Sequence, residues 1–99
     1  MTNIFDAPMP AKGQEDFTEL FSGKNVAINR IVSAGLKNGE WYDQDEDEWL
    51  VLLEGSALLE CGEEEKALRQ GDILFIPAHQ KHRVKRTSEK ALWLTVHIR

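Results

Sequence analysis

The stretch GDILFIPAHQKH, residues 71–82, carries the pattern that decides the fold. A Gly-Asp turn opens it, four apolar residues follow at 73–76, and Pro77 ends the apolar run. Short apolar runs between glycine and proline turns are typical of β-strands, whereas helices need a longer periodic pattern. His82 then starts a run in which apolar and polar residues are mixed. The stretch therefore predicts a strand, a turn and a second strand.

The same alternation of short runs and turns extends over most of the chain. Apolar residues at helical spacing are not sustained over any long window. A chain of 99 residues is long enough for one ordinary core. We expect an extended N-terminal lead-in at 1–16 and a single all-β sandwich or barrel domain at 17–99. The predicted strands lie in the runs 17–21, 26–32, 49–53, 57–61, 66–68, 73–76, 82–87 and 92–98.

Composition narrows the classes of partner. Twelve basic and 17 acidic residues give a formal charge of −5, which argues against binding to a nucleic-acid backbone. The one cysteine, Cys61, cannot form an internal disulfide, as is usual in a reducing compartment. The first residues lack a signal-peptide layout, and no apolar run is long enough for a membrane span. We therefore expect a cytoplasmic protein that binds neither nucleic acid nor membrane.

Two segments make the chain similar to a known family. Gly71, Pro77 and His82 keep the spacing of a motif with a glycine, then a proline, then a histidine, and His79 stands where that motif has its second glycine. Upstream, Glu48 and Gly55 match the second half of another motif. In order along the chain, the two motifs resemble those of the cupin superfamily. The resemblance implies a double-stranded β-helix, or jelly-roll barrel, around one pocket.

The resemblance also implies a metal site. Cupins use histidines and a glutamate inside the barrel, and this chain offers Glu48 and His82 at matching positions. The two histidines of the first motif are absent, and their places fall on Tyr42 and Gln44, or on Trp41 and Asp43. The third ligand of a zinc, nickel, iron or manganese ion must then come from Asp43, Gln44, Tyr42 or His79, and Asp43 is the best of these candidates. Such a site would suit an isomerase, a dioxygenase or a hydrolase.

A second hypothesis is a pocket that binds a small molecule without metal or catalysis. The absence of the histidine pair favours it. Arg30, Tyr42, Trp41 and His79 are the candidate ligand-binding residues in either case. Arg30 alternates with apolar neighbours, so it should be paired with a carboxylate, clamp an anionic ligand or reach the barrel rim. His79 could equally be an exposed turn residue, and we interpret His97 as structural.

Self-association is a separate expectation. Residues 49–53 are apolar on both faces of the predicted strand, so both faces need cover. A small chain with a short core gains stability by pairing, and we expect a homodimer.

Overall fold

A computed structural model describes residues 1–99 and contains eight β-strands and no helix. Each predicted run lies within one strand, which confirms the all-β prediction. No helix is present that is long and apolar enough to span a membrane. The strands are β1 (Glu15–Ser22), β2 (Val26–Ser33), β3 (Asp47–Glu54), β4 (Ser56–Cys61), β5 (Glu64–Arg69), β6 (Ile73–Ile76), β7 (His82–Thr87) and β8 (Ala91–Ile98).

The strands form two antiparallel sheets. The larger has the order β1-β2-β8-β3-β6, and the smaller has the order β5-β4-β7. Strands that are distant in sequence, such as β3 and β8, are neighbours in the larger sheet because the chain passes repeatedly between the sheets. This arrangement agrees with the predicted jelly-roll fold.

The chain changes sheets between β3 and β4 at a single residue, Gly55. Its φ of +85° lies in the left-handed region, and a Cβ there would collide with the carbonyl oxygen of Lys90. Glycine fits this position because any other residue would have an unfavourable backbone conformation and a steric clash of its Cβ.

The core fills the space between the two sheets. On β3, Leu50 and Leu52 alternate with half-buried residues and point inward, as the sequence pattern indicates. Burying a leucine side chain contributes about 1.5–3 kcal/mol to the free energy of unfolding. The main cluster comprises Leu50, Leu52, Ala57, Leu59, Leu68, Ile76, Ala91 and Trp93.

Residues before β1 lie partly against the larger sheet. The Nη1 atom of Arg30, on β2, donates to the carbonyl oxygens of Ile4 at 3.4 Å and Asp6 at 3.2 Å. Its Nη2 atom is 3.5 Å from the Thr18 hydroxyl oxygen. The N-terminal segment therefore supplies backbone carbonyls to Nη1 of the buried guanidinium, while Nε has no hydrogen-bond partner.

Candidate functional site

A cavity of about 220 Å³ opens between the two sheets. Strands from both sheets contribute to its wall, together with the segment between β2 and β3. Seven of its 13 lining residues are hydrophobic, which is typical of a small-molecule pocket with a few placed polar groups. The lining residues are Glu15, Phe17, Ile31, Tyr42, Gln44, Glu48, Leu50, Leu59, His82, Val84, Trp93, Thr95 and His97.

Glu48 and His82 meet inside this cavity. Glu48 lies near the start of β3 and points inward because it alternates with the buried Leu50 and Leu52. His82 opens β7, and its backbone is held by two hydrogen bonds with Tyr42, of 2.8 and 3.0 Å. The Nε2 atom of His82 lies 3.6 Å from Oε1 of Glu48, and each side chain is 9% exposed.

The second nitrogen of His82 fixes the orientation of its ring. Nδ1 lies 2.9 Å from the carbonyl oxygen of Gln80. A carbonyl oxygen only accepts, so Nδ1 carries a proton and Nε2 is left facing Glu48. Gln44 completes this group, since its Nε2 donates to Oε1 of Glu48 at 3.0 Å. We call Gln44, Glu48 and His82 the polar cluster.

The polar cluster shifts both pKa values toward a charged pair. For Glu48, desolvation by burial acts to raise the pKa, but His82, His97 and Gln44 outweigh it and the pKa is lowered. For His82, desolvation acts to lower the pKa, but Glu48 and the Gln80 carbonyl outweigh it and the pKa is raised. Both shifts therefore favour an ionised carboxylate that faces a protonated imidazole in the cavity.

Two cavity residues on β8 were not among the predicted site residues. Thr95 and His97 follow Trp93 on one face of the strand, and His97 lies directly opposite Glu48 in the sheet. The Thr95 hydroxyl is buried and has no hydrogen-bond partner. His97 Nδ1 lies 3.1 Å from Oε1 of Glu46, without hydrogen-bond geometry. Strand alternation already placed both residues on the face of Trp93, so that signal was available.

Glu15 and Tyr42 are further polar groups in the cavity wall. Burial raises the pKa of Glu15, although a 2.6 Å hydrogen bond from the Ser33 hydroxyl acts in the opposite direction. The Tyr42 ring centroid lies 5.9 Å from that of His82. Desolvation and the charges of nearby carboxylates raise the pKa of Tyr42, so its hydroxyl stays protonated. Both shifts favour the uncharged forms of Glu15 and Tyr42.

The other predicted site residues lie outside the cavity wall. Asp43 is exposed, and its carboxylate is 3.4 Å from Nδ1 of His79, which is also exposed in the turn before β7. The Trp41 ring lies against two cationic side chains. Its centroid is 5.4 Å from Nζ of Lys81 and 4.8 Å from Cζ of Arg83. Arg30 lies beneath the N-terminal segment described above.

These positions do not assemble the expected metal-ligand set. Asp43 does not join Glu48 and His82, because it pairs with His79 at the surface. The amide of Gln44 is directed to Glu48 through its nitrogen, which is not a metal ligand. No group of three or more His, Cys, Asp or Glu side chains is arranged to hold a metal ion. The residues present therefore do not fit a resident divalent metal.

Comparison with known proteins bears on the fold and the family. The family model "Cupin domain" matches residues 31–97. A "putative mannose-6-phosphate isomerase" from Ralstonia eutropha JMP134 is 39% identical, with a TM-score of 0.88 over 99% of this chain and 96% of that one. A cupin superfamily protein from Desulfitobacterium hafniense DCB-2 is 20% identical, with a TM-score of 0.77 over 94% and 91% of the two chains. The Cnp3 cupin domain of Schizosaccharomyces pombe is 14% identical, with a TM-score of 0.81 over 97% and 71%. Comparison with curated proteins finds no match.

Proposed function

This chain belongs to the cupin family, and we propose that its cavity binds a small organic molecule directly, without a metal ion. The observation that carries the proposal is the polar cluster within a mostly apolar cavity. Glu48 and His82 stand where the family places metal ligands, but here each is a partner of the other. The buried ion pair and its supporting amide offer polar contacts in fixed positions to a ligand. The apolar wall contributes the hydrophobic part of the affinity.

Sugar-phosphate isomerisation is a second candidate, favoured by the 39% identical protein from Ralstonia eutropha. Incubating this protein with mannose 6-phosphate and following the sugar by proton NMR tests it. We expect no conversion, with or without added zinc, because the polar cluster lacks a third metal ligand. Zinc-dependent conversion that is lost in His82→Gln would favour the isomerase and refute the metal-free proposal.

The proposal is tested by titrating benzyl alcohol into isotopically labelled protein dialysed against a chelator and recording amide shifts. We expect the shifts to cluster at the cavity wall. Val84→Phe places a bulky ring in the wall and should abolish them. Val51→Phe is the matched control, because Val51 is also half-buried but lies outside the cavity. Shifts that persist in Val84→Phe, or that require added zinc, would contradict the proposal.

A further inference from the structure

The cavity wall has an unusual charge pattern. None of its 13 residues is lysine or arginine, whereas Glu15 and Glu48 both contribute carboxylates. His82 is the basic group of the polar cluster, and its two ring nitrogens already face Gln80 and Glu48. The other imidazole, His97, lies with Nδ1 3.1 Å from the carboxylate of Glu46. The wall therefore offers no lysine or arginine to an anionic ligand, and each of its two histidines already lies beside a carboxylate.

The polar atoms left open in the cavity are mainly acceptors. Both protein contacts of the Glu48 carboxylate fall on Oε1, which leaves Oε2 without a protein partner. The Gln44 side chain uses its nitrogen for Glu48, so its carbonyl oxygen is also without a side-chain partner. A ligand that donates hydrogen bonds matches this set.

From these two observations we infer that the cavity selects small molecules with an apolar body and a neutral or cationic head group that donates hydrogen bonds, and rejects phosphates and carboxylates. The inference rests on the proposed function and specifies its ligand class. An anionic head group would be desolvated next to the Glu48 carboxylate without a compensating cation. An ammonium or hydroxyl group would instead make a charge-assisted hydrogen bond to Oε2.

Cavity size limits the body of the ligand. A cavity of about 150 Å³ lined by aliphatic and aromatic side chains holds a benzene molecule. The present cavity, of about 220 Å³, has room for a benzene ring carrying a short polar head. The aliphatic part of its wall includes Ile31, Leu50, Leu59 and Val84. A benzyl series is therefore a suitable set of probes that vary only in the head group.

The test compares benzylamine, benzyl alcohol, toluene, benzoate and benzyl phosphate by NMR titration of the chelator-dialysed protein. We expect benzylamine and benzyl alcohol to bind at least about tenfold more tightly than the two anions. If benzoate or benzyl phosphate binds as tightly as benzylamine, the inferred ligand class is wrong, although the cavity still binds small molecules. Absence of binding by all five probes would instead refute the proposed function itself.

Substitutions locate the selectivity. Glu48→Gln keeps the side-chain shape. It should weaken the binding of benzylamine about tenfold and leave the binding of toluene unchanged. Asp43→Asn removes a carboxylate outside the cavity and is the matched control. If Asp43→Asn and Glu48→Gln lose the same amount of affinity for benzylamine, the effect is one of long-range charge, and the assignment of the selectivity to the polar cluster is wrong.

Discussion

Replacing Glu48 by glutamine removes the negative charge from the polar cluster and keeps the size of the side chain. The two charges lie 3.6 Å apart, with both side chains 9% exposed. At this distance opposite charges attract by about 4–5 kcal/mol when the effective dielectric constant is about 20. Desolvation offsets part of that attraction, but the substitution leaves a buried imidazole without its counter-charge. We expect the free energy of unfolding to fall by about 3 kcal/mol near pH 6.

The loss should depend on pH in a defined direction. The pKa of Glu48 is lowered from 4.5, so its contribution is complete above that value and is lost as the pH falls through the folded-state pKa. The pKa of His82 is raised from 6.5, so its contribution is complete below that value and is lost as the pH rises through the folded-state pKa. The difference in stability between wild type and Glu48→Gln should be largest between pH 4.5 and 6.5.

Urea unfolding followed by tryptophan fluorescence measures this difference, since Trp93 is buried in the cavity wall. His82→Gln and the double variant complete a thermodynamic cycle, in which the double variant should lose less than the sum of the single losses. Asp43→Asn is the control, because its exposed pair with His79 is worth less than about 1 kcal/mol. Additive losses, or a Glu48→Gln loss that is the same at pH 6 and pH 9, would refute the assignment of a coupled ion pair.

Three further substitutions test the surroundings of the site. Gly55→Ala should cost more stability than Gly71→Ala in thermal unfolding, because both have positive φ but only a Cβ at Gly55 meets backbone atoms; equal losses would contradict this. Ser33→Ala removes the 3.1 Å hydrogen bond from Trp93 Nε1, so urea unfolding should show a loss of about 1–3 kcal/mol; no loss would refute it. Arg30→Met should speed amide exchange in residues 4–6, and unchanged rates would contradict the anchoring role.

The positions of the strands could be predicted because their signals are local. Turn residues bound each apolar run, and the two-residue period of a strand puts Glu48 on the same face as Leu50 and Leu52, which the structure buries. The same reasoning placed Thr95 and His97 on the face of Trp93. It did not show that this face borders a cavity, since cavity formation depends on how the two sheets pack.

The surroundings of Arg30 and Asp43 depend on contacts between distant segments. Alternation placed Arg30 on a face of β2, but its carbonyl partners come from a segment more than 20 residues earlier. Asp43 is a plausible ligand by spacing, yet its carboxylate is directed to His79, which lies in a turn far along the chain. Spacing within the motifs therefore identified the Glu48 and His82 pair and left Asp43 and Gln44 as alternatives, of which the structure brings Gln44 to Glu48.

Whether the polar cluster acts without a resident metal is tested by elemental analysis after equilibrium dialysis against zinc, nickel, iron or manganese, with wild type and His82→Gln compared. We expect less than stoichiometric metal in both proteins, with no difference between them. One equivalent of metal per wild-type chain that is lost in His82→Gln would refute metal-free binding, because it would make the Glu48 and His82 pair a metal site.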